Sequence, residues 1–273
     1  VEYEGYDRYC AIFTKTARKE QYRMKDLETQ WLYEESIAQI HGWDFSHIEE
    51  RYQEEDDLPW DYKTLVQKYV RPEDRLLDMD TGGGEFLRSI GHPYELTSVT
   101  EGYAPNLELC RKTLSPLGID VREWQEGEPL PFADGSMDII LNRHGSFEVR
   151  EIQRVLRPGG IFLTQQVGED NDRELVELLL PGVEKPYPGW NLRNCRKAFE
   201  KAGFQILEQG ETMRPIRFFD VGALVWFAHV ISWEFPGFSV ERCRKELYRA
   251  QEILEKKGDI EGRIHRFMLA ARK

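Results

Sequence analysis

Two hydrophobic rhythms alternate along the chain. Short apolar runs bounded by glycine, proline or acids alternate with stretches in which apolar residues recur every three or four positions. The first kind reads as buried strand and the second as amphipathic helix. Strands are expected at the start of the stretch Leu76–Leu87, at the run ending in Val99-Thr100-Glu101, and over Ile119–Trp124 and Asp138–Asn142. Three more follow over Ile161–Val167, Phe204–Glu208 and Ile264–Ala271. Between them, Leu107, Cys110, Leu114 and Leu117 form one helical face, and Val149, Ile152, Val155 and Leu156 another. Leu175, Leu178 and Leu179 mark the next helix, and Leu192, Cys195, Phe199 and Ala202 the one after it. A long helix carrying Val240, Cys243, Leu247, Ala250 and Leu254 starts near Ser239 and stops at Gly258. Strands alternating with helices build an α/β fold.

Two regions stand outside this alternation. Residues 1–70 are polar, charged and aromatic with helical periodicity, Met24, Leu27, Trp31 and Ala38 sharing a stripe, and they read as an N-terminal helical cap. Within them 49–57 reads as a solvated face or loop. Leu58-Pro59-Trp60-Asp61-Tyr62 leads into a helix through Val66 and Val70, which Arg71-Pro72 ends. Residues 212–238 hold Phe218, Phe219, Trp226, Phe227, Trp233, Phe235 and Phe238, an aromatic insertion before the last strand. It is either a set of substrate walls or core packing of a helix on the sheet. With no repeat and no flexible linker, one domain over 71–273 with a cap over 1–70 is expected.

The stretch that organises the rest is Leu76-Leu77-Asp78-Met79-Asp80-Thr81-Gly82-Gly83-Gly84-Glu85-Phe86-Leu87. Three glycines between a strand and a helix permit positive φ and let a ligand approach the backbone. A strand–glycine–helix turn also aims free N–H groups at the carboxyl edge of a parallel sheet. The dinucleotide fingerprint requires a third glycine where Leu87 stands, which disfavours NAD. Glu101 ends the next strand, twenty-three residues after Asp78, where a carboxylate accepts the hydroxyls of a ribose.

This pair resembles the first two motifs of the class I S-adenosylmethionine (SAM)-dependent methyltransferases. The segment from Gln125 to Asp138, with Leu130-Pro131-Phe132 inside it, is similar to the third motif. Val155-Leu156-Arg157-Pro158-Gly159-Gly160 before an apolar strand is similar to a further family signature, and it reads as a turn. The resemblance covers about residues 71–170 and the final strand. It implies a Rossmann-like, seven-stranded, mostly parallel sheet with helices on both faces, with SAM as cofactor and S-adenosylhomocysteine as product. Carried onto this chain, it assigns cofactor contacts to Asp78, Asp80, Thr81, Gly82, Gly84, Glu101, Gly102, Glu126, Gly127 and Asn142. Glu126 takes the place of the acid that receives the adenine amine. Trp60 and Tyr62, ahead of the first strand, either touch SAM or substrate or staple their helix to the core.

Asp80 breaks the family pattern, standing where the first glycine is expected. Its carboxylate either accepts from the methionine ammonium of SAM or caps its own loop. Of six histidines, His144 falls at the carboxyl end of a strand where family members meet substrate. It is the candidate general base, with a loop hydrogen bond as the competing role.

A net charge of −12 argues against a nucleic-acid footprint and suits a cationic cofactor. Four scattered cysteines make no zinc spacing, and no metal-ligand cluster appears, so no metal is expected. No signal peptide opens the chain and no apolar run of about 18 residues could span a bilayer, so a cytoplasmic protein without a membrane partner is expected. The reading is a SAM-dependent methyltransferase acting on a small-molecule acceptor. The alternatives are a SAM-binding regulatory protein without catalysis, or an RNA or protein methyltransferase. The acceptor and the oligomeric state stay open.

Overall fold

The computed structural model describes residues 23–40, 44–54 and 57–273. Cys10, His41 and the helix break expected at 42–44 lie wholly or partly outside these. The chain divides into two compact units. One comprises its described residues up to Gln53 with Arg173–Glu184 and Ile216–Gly262; the other comprises Glu54–Asp172, Lys185–Pro215 and Arg263–Lys273.

The strands are β1 (Tyr52–Glu54), β2 (Leu76–Met79), β3 (Thr97–Glu101), β4 (Asp120–Glu123), β5 (Met137–Arg143), β6 (Leu156–Val167), β7 (Gln205–Phe218) and β8 (Ile260–Arg272). They form one mixed sheet in the order β1-β7-β8-β6-β5-β2-β3-β4. The pairs β2–β3, β2–β5, β3–β4 and β5–β6 are parallel, and β8 runs antiparallel to β6. The described sheet therefore has eight strands, not the expected seven. The extra one, β1, is a three-residue edge strand inside the charged 49–57 run. It is held by backbone pairing and carries no hydrophobic signal.

In the second unit, neighbouring positions on the central strands serve opposite faces, as strand geometry requires. Leu77, Met79 and Ile140 pack with Ile152 and Val155 of α5 (Val149–Val155) and Cys195 and Phe199 of α7 (Leu192–Lys201). Leu76, Ile139 and Leu141 pack on the other face with Leu65 and Val66 of α2 (Tyr62–Tyr69), Leu87 of α3 (Glu85–Ile90) and Cys110 of α4 (Ala104–Thr113). The α/β Rossmann-like expectation holds.

Several boundaries differ from the reading of the sequence: the closing strand starts at Ile260 rather than Ile264, and the long helix at Arg244 rather than near Ser239. Arg157–Gly160 is no simple turn: β6 already begins at Leu156, and the register against β5 shifts between Met137 and Ile139. Gly159 takes φ +79° there, and its N–H donates to the carbonyl of Lys273 at 2.9 Å. The segment 212–218 is the far half of β7.

The first unit contains a helix over 23–36, here α1, with α6 (Arg173–Leu179), α8 (Val221–Val230) and α9 (Arg244–Lys257). Trp31 of α1 meets Tyr248 edge-on at 5.0 Å, and Phe227 meets Phe218 at 5.1 Å. Phe218, Trp226, Phe227, Phe235 and Phe238 are buried, while Phe219 and Trp233 stay exposed. Five of the seven insertion aromatics thus serve as core. No helix among the described residues is long and apolar enough to cross a membrane.

Candidate cofactor and acceptor site

The site lies in the second unit, at the carboxyl ends of β2, β3 and β5, where parallel sheets present their loops to ligands. Asp78, the penultimate residue of β2, has its side chain buried. The Thr81 hydroxyl donates to its Oδ2 at 2.6 Å. Burial pushes the carboxyl up to about 7, with repulsion from Glu101 adding to it and the Thr81 hydroxyl and the Arg143 charge pulling the other way.

Next, the chain turns through two left-handed positions, Asp80 at φ +53° and Gly82 at φ +63°. Aspartate tolerates this region better than most residues, so the glycine replacement leaves the turn possible. The Asp80 carboxylate lies against the loop after β5. It accepts from the Ser146 backbone amide, and a Cβ built on Gly145 would fall 2.4 Å from its Oδ2. Burial, then the charges of Glu101, Asp78 and Glu126, raise it also to about 7.

Gly82 is pinned on both sides. Its N–H donates to Oε2 of Glu101 at 2.9 Å, and its carbonyl accepts from the Cys110 thiol at 3.0 Å. A Cβ added to Gly82 would meet nothing within 4 Å, so its open side faces free space. Gly84 differs. Its φ is +80°, and an added Cβ would lie 2.7 Å from Cδ1 of buried Leu114. That glycine is required for packing α3 against α4.

Glu101, 5% exposed, is the other anchor. Its Oε1 accepts from the Tyr103 amide at 2.8 Å while Oε2 holds Gly82. Both oxygens retain lone pairs for a ligand. Gly102 is squeezed between strand ends: an added Cβ would sit 2.6 Å from the Trp124 carbonyl, and its own carbonyl accepts from Gln125 at 2.8 Å. Glu126 is exposed and Gly127 takes φ +85° with open space around it.

Three sequence candidates turn inward. Asn142 is fully buried; its Oδ1 accepts from Gln166 at 2.6 Å and from the Thr164 hydroxyl at 3.3 Å. The Tyr62 hydroxyl lies 3.2 Å from the Asn142 carbonyl and 3.1 Å from that of Leu163, and burial raises its pKa far above the usual range. Its ring packs on Phe86 at 5.3 Å. Trp60 is half-buried, and its indole N–H donates to Oε1 of Gln165 at 2.8 Å. The staple role fits Tyr62 and Trp60, and Asn142 shapes the loop from within the sheet.

His144 takes φ +63°. Its Nε2 lies 3.2 Å from the amide nitrogen of Gln165. The crowding of surrounding protein, then the charges of Arg266 and Arg143, push the imidazole down to about 3 although its outer edge still meets solvent. A neutral ring in this setting is a weak base.

Three residues beside the site carry no motif signal: Tyr103, Arg143 and Gln165. Tyr103 is 66% exposed and directly follows the acid-glycine pair. The consecutive Thr164, Gln165 and Gln166 are all buried within an otherwise apolar central strand. Such strands normally read as continuous apolar runs, so three polar residues there were a legible signal. Among the described residues, no group of three or more His, Cys, Asp or Glu is placed to hold a metal.

Residues 77–164 match the model of a family described as a methyltransferase domain. The chain is similar to the phthiotriol/phenolphthiotriol dimycocerosates methyltransferase of Mycobacterium tuberculosis (strain H37Rv), with 33% identity over 98 residues, 33% of this chain and 36% of that protein. A Mycobacterium ulcerans (strain Agy99) counterpart is 32% identical over 98 residues, 33% of this chain and 35% of it. The match thus spans about a third of the length of these curated relatives. By fold, the chain resembles a functionally unknown protein of Deinococcus radiodurans R1 (TM-score 0.55, 14% identity, 81% of this chain and 90% of that one). It also resembles the YcgJ protein of Bacillus subtilis (TM-score 0.52, 18% identity, 78% and 97%). The segment from Leu77 to Thr164, with its glycine turn and paired acids, is similar to a methyltransferase domain.

Proposed function

We propose that this chain binds SAM and transfers its methyl group to a small-molecule acceptor. The observation that carries the reading is the Gly82–Glu101 pair: a glycine amide clamped to a buried carboxylate, with open space where a side chain would stand. The donor set fits the cofactor. Asp78 and Asp80 are desolvated carboxyls raised to about 7, a region of negative potential that suits a ligand carrying a sulfonium and an ammonium.

In this reading Glu101 takes the ribose hydroxyls, while Glu126, Gly127 and Gly102 border the adenine. Asp80, Thr81 and Gly82 border the methionine end, with Asp78 behind them. Bound SAM supplies a methyl group already activated by its sulfonium. The protein's work is then to orient the acceptor and exclude water. His144, neutral and fixed by Gln165, offers its Nδ1–H at the acceptor loop as a positioning donor, in place of the general-base role read from the sequence. The curated relatives are named as phthiotriol/phenolphthiotriol dimycocerosates methyltransferases, which supports a small-molecule acceptor.

Titration calorimetry with S-adenosylhomocysteine tests the proposal. Binding near 1:1, no heat with NAD, and a loss of about 1.5–3 kcal/mol in Glu101→Ala are expected, the range for hydrogen bonds to a charged group. Absence of binding by the unaltered chain would overturn it.

A further inference from the structure

Arg143 ends β5 beside His144, and its guanidinium lies over the ring of Phe86 at 5.3 Å from the centroid. Phe86 stands in the first turn of α3, directly after the glycine loop. The side chain of Arg143 is exposed and takes no ion-pair partner among the described residues. An arginine stacked on an aromatic ring keeps its planar fork aligned while its N–H edges remain available.

The adjoining donor is fixed by elimination. An indole N–H only donates, so the Gln165 oxygen must face Trp60 and its NH₂ must face Nε2 of His144. Nε2 therefore accepts, and the ring proton of neutral His144 sits on Nδ1. The backbone amide of His144 is tied to the Gln165 carbonyl at 2.9 Å, which locks the residue in its left-handed conformation. Two successive residues at one strand end thus present a guanidinium and an imidazole N–H. The Arg143 charge reaches buried Asp78, and Asp80 lies against Gly145 and Ser146 of the same loop, so an anion there meets repulsion that the arginine must compensate.

We infer that Arg143 and His144 form a seat for a ligand carboxylate at the acceptor side of this site. The inference rests on the proposed function. Two sources share this chemistry: the carboxylate of the cofactor's methionine end, and an acid group on the methyl acceptor. Arginine matches a carboxylate with two parallel N–H donors, and the Nδ1–H of His144 adds a third.

The test compares the unaltered chain with Arg143→Gln in two titrations. One measures S-adenosylhomocysteine against its decarboxylated analogue, 5′-deoxy-5′-(3-aminopropylthio)adenosine. The other follows the His144 imidazole nitrogens by NMR as butyrate, or butyramide as neutral control, is added to protein loaded with S-adenosylhomocysteine. If the cofactor supplies the carboxylate, Arg143→Gln binds S-adenosylhomocysteine about tenfold more weakly, as for loss of a charge-assisted hydrogen bond, and the analogue equally well. If the acceptor supplies it, cofactor affinity stays put and butyrate shifts His144 only in the unaltered chain. Arg143→Lys, which keeps charge and loses the fork, should fall between. If Arg143→Gln changes neither titration, the seat is refuted. Should the unaltered chain bind no S-adenosylhomocysteine, the proposed function fails, and butyrate on the free protein still decides. A His144 shift lost in Arg143→Gln upholds the seat, and no shift refutes it.

Discussion

Gln165 holds His144 by its side chain and its backbone at once: its amide nitrogen lies 3.2 Å from Nε2, and its carbonyl accepts the His144 N–H at 2.9 Å. With the Gln165 oxygen committed to Trp60, the imidazole keeps its Nε2 lone pair in the bond. In Gln165→Glu a carboxylate replaces the donor, so the protonated ring gains a partner. The His144 pKa, now about 3, should rise past its usual 6.5. NMR titration of the ring reads this directly. A pKa that stays low in the variant would show that the Gln165 contact does not set the tautomer.

The same environment predicts the pH profile of turnover. A histidine acting as base at its ordinary 6.5 would give an inflection there, whereas His144 held at about 3 gives none in the neutral range. Here the rate should rise with pH only as the acids of the cofactor site ionise. His144→Asn should then weaken acceptor binding more than it changes the shape of the profile. A limb near 6.5 that vanishes in His144→Asn would restore the general-base role.

Cofactor binding should release protons. Asp78 and Asp80 sit at about 7 in the free protein, and a bound cation favours their ionised forms. Affinity for S-adenosylhomocysteine should therefore climb between about pH 6 and 8, by at most about tenfold per pH unit for each proton released. Asp80→Asn should flatten that climb and weaken binding above pH 7. Stability of the free protein moves the other way. Both folded-state values exceed the ordinary 3.8, so the folded chain holds extra protons from about pH 4 to 7 and loses that stabilisation as pH rises through 7. Binding independent of pH across 6–8 would rule this out.

The glycines should separate by assay. Gly84→Ala drives a methyl toward Leu114 at positive φ and should cost on the order of 1–3 kcal/mol of stability. Gly82→Ala meets no atom, so its cost should be the backbone strain alone, about 1–2 kcal/mol. Its larger effect should be on S-adenosylhomocysteine, weakened about tenfold or more as the methyl fills the approach to the backbone. Denaturant unfolding and calorimetry on both variants give the comparison; equal binding losses would refute the distinction.

Tyr62→Phe tests the staple. The hydroxyl is buried against two strand carbonyls, so its loss should lower stability by about 0.5–1.5 kcal/mol or slightly more. Cofactor affinity should not change. A selective loss of affinity at constant stability would place Tyr62 in the cofactor site.

Hydrophobic period alone determined the α/β alternation, because burying strands on both faces demands apolar runs and packing helices on them demands stripes. The glycine turn and Glu101 were equally legible, since positive φ and a carboxylate at a strand end are local requirements. The edge strand β1 escaped notice because backbone pairing needs no hydrophobic side chain. The resemblance put Asn142 at the cofactor and left Tyr62 between cofactor and core, because a sequence position fixes only where a Cα stands. Which way a side chain turns depends on partners far along the chain, here Gln166 for Asn142 and the Leu163 carbonyl for Tyr62. The state of His144 was undecidable for the same reason: its proton is set by Gln165, Trp60, Arg143 and Arg266, of which only Arg143 adjoins it in sequence. Asp80 shows both halves. Its tolerance of a left-handed turn follows from its residue type, while its seat against Gly145 and Ser146 exists only because β5 lies beside β2 in the folded sheet.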